Sequence, residues 1–258
     1  MEEKTLFINN LEANFKIAGQ GPAVLILHGW GGSSDSWIKI QEILSEKGYK
    51  IICPDFPGFG KSKTPNEAWS VADYARWLNR FIESQKLDNF FILGHSFGGR
   101  VAIKFVVMFP EKIKGLILCD SAGIKHKPDL KTKIIFELSR IGNMVFTPRL
   151  LTRFKDTARN IFYIFLRRKD YVKANGIMRE IIKKVLEEDL LPYLDKIKTK
   201  TLIVWGAKDK MVPIRDAYIF KERIKNSKLE ILPGIGHSPH LENPEQLSKI
   251  ILDFLNRL

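Results

Sequence analysis

The stretch Phe90–Arg100 constrains the fold of this chain more than any other. Its first four residues are apolar and predict a buried strand, and the mostly apolar run Val101–Val107 predicts a helix. Between the two lies Gly94-x-Ser96-x-Gly98. A serine at such a strand-to-helix turn is held in a strained conformation with its Oγ exposed, and flanking glycines leave room for the tight turn. The pattern therefore indicates a serine placed for nucleophilic attack.

Strand, loop and helix patterns alternate at short range around this stretch. The predicted strands are the hairpin Thr5–Ile8 with Glu12–Ala18, then Ala23–Leu27, Lys50–Pro54, Lys114–Cys119, Thr201–Trp205 and Leu229–Leu232. Helical patterns fall at Trp37–Leu44, Ser70–Gln85, Ile214–Ile224 and Pro244–Leu258. This alternation predicts an α/β protein with a parallel sheet and helices on both faces. Ligands bind at the carboxyl ends of such strands, where the loops after His28, Asp55, Ser96 and Asp120 begin.

The strand pattern is interrupted between about Ser121 and Asp195. Three helices are predicted there, Leu130–Met144, Pro148–Arg168 and Asp170–Leu190. From Lys125 to Asp195 there are 16 Lys and Arg against 9 Asp and Glu, a net of +7. We therefore expect residues 121–195 to form a basic helical cap over the strand ends. The cap would interrupt a single core domain made of residues 1–120 and 196–258.

A serine needs a base within hydrogen-bond reach, and that base needs an acid to orient it. Among the histidines, His237 is the predicted base because it follows a strand and lies in a glycine-rich loop. His28 begins a glycine loop, His126 lies in the predicted cap, and His95 and His240 are interpreted as structural. Asp209 is favoured as the acid because it precedes His237 by one strand–helix unit, which gives the chain order serine, acid, histidine. Asp120 competes, since it also directly follows a strand.

The developing oxyanion needs N–H donors, each contributing a few kcal/mol to the transition state. The residue after the nucleophile supplies one, here Phe97. The second is expected from the glycine loop that follows an earlier strand, with Trp30 the favoured donor and Gly31 the alternative.

Five short motifs occur in order: His28-Gly29-Trp30-Gly31, Asp55-x-Pro57-Gly58-x-Gly60-x-Ser62, Gly94-His95-Ser96-Phe97-Gly98-Gly99, Gly206-x-x-Asp209 and Gly236-His237. With them the chain resembles the α/β-hydrolase superfamily from about Leu25 to its end, apart from the cap. The resemblance implies a mostly parallel eight-stranded sheet and acyl transfer to water through an acyl-serine. A serine nucleophile departs from the dehalogenase and epoxide-hydrolase branches, which use aspartate at this position.

The capped form is similar to carboxylesterases and to the carbon–carbon hydrolases of aromatic ring cleavage. The latter typically carry tryptophan directly after the catalytic histidine, where this chain has Ser238. The expected function is therefore a serine carboxylesterase, with a carbon–carbon hydrolase or a non-catalytic ligand-binding protein as alternatives. Besides Trp30 and Phe97, the residues expected to line the acyl pocket all belong to the cap: Phe136, Met144, Phe162 and Phe165.

Composition and charge limit the kinds of partner that we expect this protein to bind. The net charge is +13, but no nucleic-acid-binding motif is present, so the charge is interpreted as favouring solubility or anionic surfaces. No apolar stretch is long enough to span a membrane, and Met1–Lys4 lacks a secretory pattern. Cys53 and Cys119 end apolar strand-like runs, which favours buried thiols and a cytoplasmic location. No Cys/His cluster has metal-ligand spacing, and we expect a small-molecule ester substrate and neither metal nor cofactor.

Overall fold

The computed structural model describes residues 1–126 and 176–258. Eight strands in these ranges form one sheet: β1 Glu2–Ile8, β2 Leu11–Ala18, β3 Ala23–Leu27, β4 Lys50–Pro54, β5 Phe90–His95, β6 Ile113–Cys119, β7 Thr201–Gly206 and β8 Ser227–Leu232. Their order across the sheet is β1-β2-β4-β3-β5-β6-β7-β8. β2 is antiparallel to β1 and to β4, and all other neighbours are parallel. The predicted eight-stranded, mostly parallel sheet is confirmed.

The helices of the described ranges are α1 Ile38–Glu46, α2 Val71–Ser84, α3 Phe97–Met108, α4 Ile177–Glu187, α5 Leu191–Leu194, α6 Arg215–Arg223, α7 Pro239–Glu242 and α8 Pro244–Leu255. Short 3-10 turns cover Ser34–Trp37 and Pro110–Lys112. Within these ranges, no helix is both long and apolar enough to cross a bilayer.

Side chains of the central strands alternate between two apolar cores, as the two-residue period of a strand requires. In β3, Leu25 and Leu27 enter one core, while Val24 and Ile26 enter the other. The first core packs against α2, α3, α4 and α6, and the second against α1 and α8. Helices therefore cover both faces of the sheet, as the alternation of strand and helix patterns predicted.

The chain reverses its direction across the sheet between β3 and β5. From β3 it proceeds to β4 on one side, and from β5 it proceeds to β6 on the other. Because β3 and β5 are neighbours, the loops that leave their carboxyl ends diverge and open a crevice between them. The loop beginning at His28 and the turn at Ser96 therefore lie side by side.

Most helix boundaries differ from the predictions by one or more residues, and two of the differences lie beside Ser96 and His237. α3 begins at Phe97, four residues before the predicted Val101, and so includes Gly98 and Gly99 despite their low helix propensity. Helical backbone is nevertheless adopted there because the first turn of α3 packs directly against neighbouring strands. The loop predicted through His240 instead contains α7, which has proline at its first position, where the missing N–H costs nothing.

The described part of residues 121–195 is bound to the core. Leu190 N donates to Gly123 O at 2.9 Å, which joins the two stretches that flank residues 127–175. The buried Arg100 of α3 donates to Val185 O at 3.0 Å and Glu188 O at 2.9 Å, at the carboxyl end of α4. Burial lowers the pKa of Arg100 to about 10, so it stays charged near neutral pH. The predicted helices Leu130–Met144 and Pro148–Arg168 lie outside the described residues, and the cap assignment stays a prediction.

Helix α2 begins with a capping box made by Ser70 and Asp73. Asp73 N donates to Ser70 Oγ at 3.3 Å, and Ser70 N donates to Asp73 Oδ2 at 2.8 Å. We expect Ser70→Ala to lower the free energy of unfolding by about 1 kcal/mol, because one helix N–H loses its acceptor. Urea denaturation followed by circular dichroism measures this difference.

Ser45→Ala is the matched control, since the Ser45 hydroxyl only donates to Glu42 O within its own helix, α1. Its effect should stay within about 0.5 kcal/mol. Equal denaturation midpoints for Ser70→Ala and wild type would contradict a stabilising role for the capping box.

Candidate active site

Ser96 occupies the turn between β5 and α3 with φ +51° and ψ −112°. A positive φ at a non-glycine residue costs on the order of 1–3 kcal/mol and persists only when the surroundings enforce it. Here Ser96 N donates to Cys119 O at 3.2 Å, and Ser96 O accepts from Gly99 N and Ala122 N, each at 3.1 Å. The half-buried Ser96 is therefore fixed from both sides by backbone hydrogen bonds.

The glycines of this turn are required by close backbone approach. A Cβ on Gly98 would overlap Leu27 O and lie 2.7 Å from His28 O. A Cβ on Gly94 would lie 2.5 Å from Gly98 O. The first turn of α3 thus touches the carboxyl end of β3, which brings Ser96 beside the loop after His28.

Ser96, His237 and Asp209 form one hydrogen-bonded row. The His237 Nε2 to Ser96 Oγ distance is 3.0 Å, and the His237 Nδ1 to Asp209 Oδ2 distance is 2.8 Å. Asp209 lies in the loop after β7, and His237 lies in the loop after β8. The structure therefore brings together the three residues that the sequence selected as nucleophile, acid and base.

The Asp209 carboxylate is fixed by backbone donors. Met211 N and Val212 N donate to Asp209 Oδ1 at 2.7 and 3.0 Å. Burial alone raises the pKa of Asp209, but the His237 hydrogen bond and charge, with these two N–H groups, offset it, and the net pKa is lowered. A carboxylate accepts only, so His237 carries its hydrogen on Nδ1 and directs the Nε2 lone pair at Ser96 Oγ. This arrangement suits proton removal from the serine.

The backbone around His237 is held at three points. His95 Nε2 lies 2.7 Å from His237 O and donates to it, since a carbonyl only accepts. Glu242 accepts from Gly236 N at 2.7 Å and from Ser238 N at 3.1 Å. Sequence reasoning missed Glu242, and its spacing of five residues from His237 was the only available signal.

His95 and His240 are neutral structural groups, in agreement with their interpretation from the sequence. His240 stacks on Trp37 with ring centroids 4.2 Å apart. Burial, together with neighbouring histidines, lowers the pKa of His240 to about 3 and that of His95 well below its usual value. His237 therefore has no charged imidazole beside it near neutral pH.

The loop after β3 lies against the nucleophile and is fixed by His28. A Cβ on Gly29 would lie 3.4 Å from Ser96 Cβ. Phe56 N donates to His28 Nε2 at 3.0 Å, so Nδ1 carries the hydrogen and donates to Gly29 O at 2.8 Å. Burial lowers the pKa of His28, which keeps this neutral tautomer. The sequence did not foresee that His28 uses both ring nitrogens to brace the loop.

A second brace is Asp55, which joins the loops after β3 and β4. Its Oδ1 accepts from Ser34 N at 2.6 Å, and its Oδ2 accepts from Asn14 Nδ2 at 3.0 Å and Lys61 N at 2.9 Å. Asp55 stood in one of the sequence motifs, as did Lys61, but Ser34 and Asn14 come from distant parts of the chain.

The predicted oxyanion donors, Trp30 and Phe97, lie next to these braced groups. In the stretches 1–126 and 176–258, neither backbone N–H donates to another group of the protein. The Trp30 ring meets the Phe97 ring at 5.4 Å and the Phe59 ring at 4.8 Å, both edge to face. We call Trp30, Phe59 and Phe97 the aromatic wall. The other predicted pocket residues, Phe136, Met144, Phe162 and Phe165, lie outside the described residues.

Asp120, the competing acid, is fully buried at the end of β6. Its Oδ1 accepts from Gly206 N at 2.9 Å, while His237 Nδ1 is bonded by Asp209. One carboxylate oxygen each of Asp120 and Asp209 and one ring nitrogen of His237 lie within 4.8 Å of one another, close enough to hold a metal ion. In the part of the chain that the structure describes, this is the one group of three such residues. Because Asp209 and His237 already bond each other, we interpret this grouping as a hydrogen-bonded cluster.

Comparison with known proteins places the chain among hydrolases. A family model described as the alpha/beta hydrolase fold matches residues 22–244. The 2-hydroxy-6-oxo-6-(2'-aminophenyl)hexa-2,4-dienoic acid hydrolase of Metapseudomonas resinovorans is 31% identical over 97% of this chain and 90% of its own. Monoacylglycerol lipase ABHD6 of Mus musculus is 26% identical over 92% of this chain and 76% of its own. The solved structure of a membrane phospholipase A, a bacterial virulence factor, superimposes with a TM-score of 0.78, 25% identity and coverage of 99% and 86%.

The contact between α3 and β3 predicts that Gly98 tolerates no side chain. We expect Gly98→Ala to destabilise the protein by several kcal/mol, because its methyl group would meet the backbone oxygens of Leu27 and His28. The thermal unfolding midpoint and the yield of folded protein measure this effect.

Gly123→Ala serves as the control. A Cβ there would lie 3.1 Å from the tip of the Phe220 side chain and would not meet a backbone oxygen, so we expect a smaller loss of stability than for Gly98→Ala. Similar unfolding midpoints for the two variants would show that the approach of α3 to β3 does not limit position 98.

Proposed function

This chain belongs to the alpha/beta hydrolase fold family, and from that membership we propose that it is a serine hydrolase that cleaves carboxylic esters through an acyl-serine at Ser96. One observation carries the proposal: the row of hydrogen bonds from Ser96 Oγ through His237 to Asp209, with distances of 3.0 and 2.8 Å. Such a row supplies a nucleophile, a general base and an orienting acid within proton-transfer reach.

In the first half-reaction, Ser96 Oγ attacks the ester carbonyl carbon while its proton passes to His237 Nε2. Asp209 stabilises the resulting imidazolium through the Nδ1 hydrogen bond. His237 then gives the proton to the alkoxide oxygen as the bond between that oxygen and the acyl carbon breaks. In the second half-reaction, His237 takes a proton from water, the resulting hydroxide attacks the acyl carbon, and Ser96 leaves with that proton.

The backbone N–H groups of Trp30 and Phe97 are the proposed oxyanion donors. Both are unused within the described ranges, and the Trp30 loop is held rigid by His28 and Asp55. Donors fixed before the reaction need no reorganisation as charge develops, and each contributes roughly 3 kcal/mol to transition-state stabilisation.

The aromatic wall supports an apolar acyl or alcohol group in the substrate. Trp30 is only half-buried, whereas Phe97 is 3% exposed. Trp30 is therefore the accessible side chain of the aromatic wall, and the other two rings pack in the core. The relative called a monoacylglycerol lipase acts, by its name, on an ester of the same chemistry. We propose residues 121–195 as the cap that completes the pocket, with Phe136, Met144, Phe162 and Phe165 lining it, around a small-molecule ester.

A carbon–carbon hydrolase is the second candidate, favoured by the 31% identity to the dienoic acid hydrolase over 97% of the chain. Ser238 argues against it, because the carbon–carbon hydrolases that the motifs resemble typically have tryptophan there. The Ser238 backbone N donates to Glu242, which braces the His237 loop.

The nucleophile is tested with Ser96→Ala and p-nitrophenyl esters of graded chain length. We expect kcat to fall by on the order of 10⁴-fold or more, because no other group forms the acyl intermediate. A fluorophosphonate probe should label wild type at Ser96, as mass spectrometry of the labelled peptide will show.

Ser121→Ala is the matched control, a buried serine near the turn whose hydroxyl donates to Ala122 O. It should keep labelling at Ser96. Labelling of wild type at another residue, or equal activity of wild type and Ser96→Ala, would refute the proposal. A wild type that neither turns over nor reacts with the probe would favour the ligand-binding alternative.

The substrate class is tested by comparing alkyl and aryl esters with a vinylogous diketo acid. We expect kcat/KM to be at least about 100-fold higher for the best ester, because Ser238 replaces the tryptophan of the carbon–carbon hydrolases. Ser96→Ala on both substrates shows whether one site serves both. A higher kcat/KM for the diketo acid would replace the esterase by the second candidate.

A further inference from the structure

Asp120 is a buried acid that the proposed mechanism leaves without a role. It follows β6 directly and adopts φ +43°, a left-handed conformation that aspartate tolerates better than most residues. Its N–H donates to Val204 O at 2.9 Å, and its Oδ1 accepts from Gly206 N at 2.9 Å. Two backbone bonds to β7 therefore hold the carboxyl group in one place.

The carboxyl groups of Asp120 and Asp209 are near neighbours beside His237. The other titratable group against Asp120 is Cys119, whose Sγ lies 3.6 Å from Asp120 Oδ2 and whose pKa is raised by burial. In the described ranges, no lysine or arginine bonds to Asp120. Two adjacent buried carboxylates repel, so one of them holds a proton.

The two environments decide which carboxyl group holds it. Asp209 Oδ1 accepts from two backbone N–H groups, and its Oδ2 accepts from His237, which favours the charged form. Asp120 has one backbone donor and is fully buried. Burial raises the pKa of Asp120 to about 9, and the neighbouring charge of Asp209 adds to the increase.

We propose that Asp120 is a positioning residue, a neutral carboxylic acid whose O–H donates to the Asp209 carboxylate and keeps Asp209 in line with His237. An ionised carboxylate has about four acceptor sites, of which the backbone and His237 use three. Asp120 supplies a donor for the fourth from the side where water is excluded. The inference rests on the proposed function, because it concerns the acid of that same catalytic row.

Loss of the Asp120 proton at alkaline pH removes the donor and places a second charge against Asp209. The folded state raises the pKa of Asp120 from 3.8 to about 9. The unfolded chain therefore ionises more readily, and Asp120 lowers stability progressively as pH rises from its unfolded pKa towards about 9. Activity falls in the upper part of that window, where the folded enzyme loses this proton.

Asp120→Asn keeps a hydrogen-bond donor at this position and removes the group that titrates. Asparagine keeps an oxygen for Gly206 N and offers an N–H to Asp209 at every pH. We expect kcat at pH 7 within about threefold of wild type, no decline near pH 9 from this group, and a higher unfolding midpoint at alkaline pH. Asp120→Ala lacks the donor, and its kcat should fall by about tenfold at unchanged KM.

Asp216→Asn is the matched control, since Asp216 is another buried aspartate with a raised pKa, paired with His126 outside the row. It should keep the wild-type alkaline decline. If Asp120→Asn lost as much kcat as Asp120→Ala, or kept the alkaline decline, the inference would be wrong.

A readout without substrate distinguishes this inference from the proposed function. The His237 Nδ1 proton, bonded to Asp209, should give a downfield proton NMR signal that persists in Asp120→Asn and is shifted or broadened in Asp120→Ala. Unaltered signals in both variants would overturn the role of Asp120. If instead the NMR and stability results hold while no ester is cleaved and Ser96 is not labelled, the proposed function alone fails.

Discussion

The close approach of α3 to β3 is the contact on which the rest of the site depends. Gly98 allows the first turn of α3 to rest against Leu27 O, and Ser96, at the start of that turn, keeps a positive φ of +51°. The strained backbone of Ser96 is thereby held in place by the packing of α3 against β3, two largely buried elements. The contact therefore places Ser96 in the crevice at the carboxyl ends of β3 and β5.

Around that contact, the site is built mainly from uncharged polar groups. His28, His95 and His240 are buried and kept neutral, and each fixes a neighbouring loop or ring. The Asp209 carboxylate accepts from two backbone N–H groups as well as from His237. Because a low-dielectric surrounding strengthens electrostatic interactions, the Asp209 charge acts on His237 with little competition from water.

The sequence alone was sufficient to predict those elements whose signals come from residues close together in the chain. Periodicity located the strands, and the two glycines around Ser96 located the turn, since both depend on residues adjacent in the chain. Asp209 could be preferred to Asp120 only through its position one strand–helix unit before His237, because both follow strands. The Asp55 bonds to Ser34 and Asn14 were not predictable, since these groups come together only after the sheet has formed. Glu242 gave no signal beyond its spacing from His237.

Arg100 has a consequence for how this protein unfolds. It lies one helical turn beyond Ser96, yet it bonds to carbonyl oxygens of Val185 and Glu188. If the segment containing α4 detached, a buried guanidinium would lose both acceptors in an apolar surrounding, which is costly. Arg100 therefore couples α3 to the end of α4, more than eighty positions away, in one cooperative unit. Local opening of either segment exposes the other to hydrogen exchange and proteolysis.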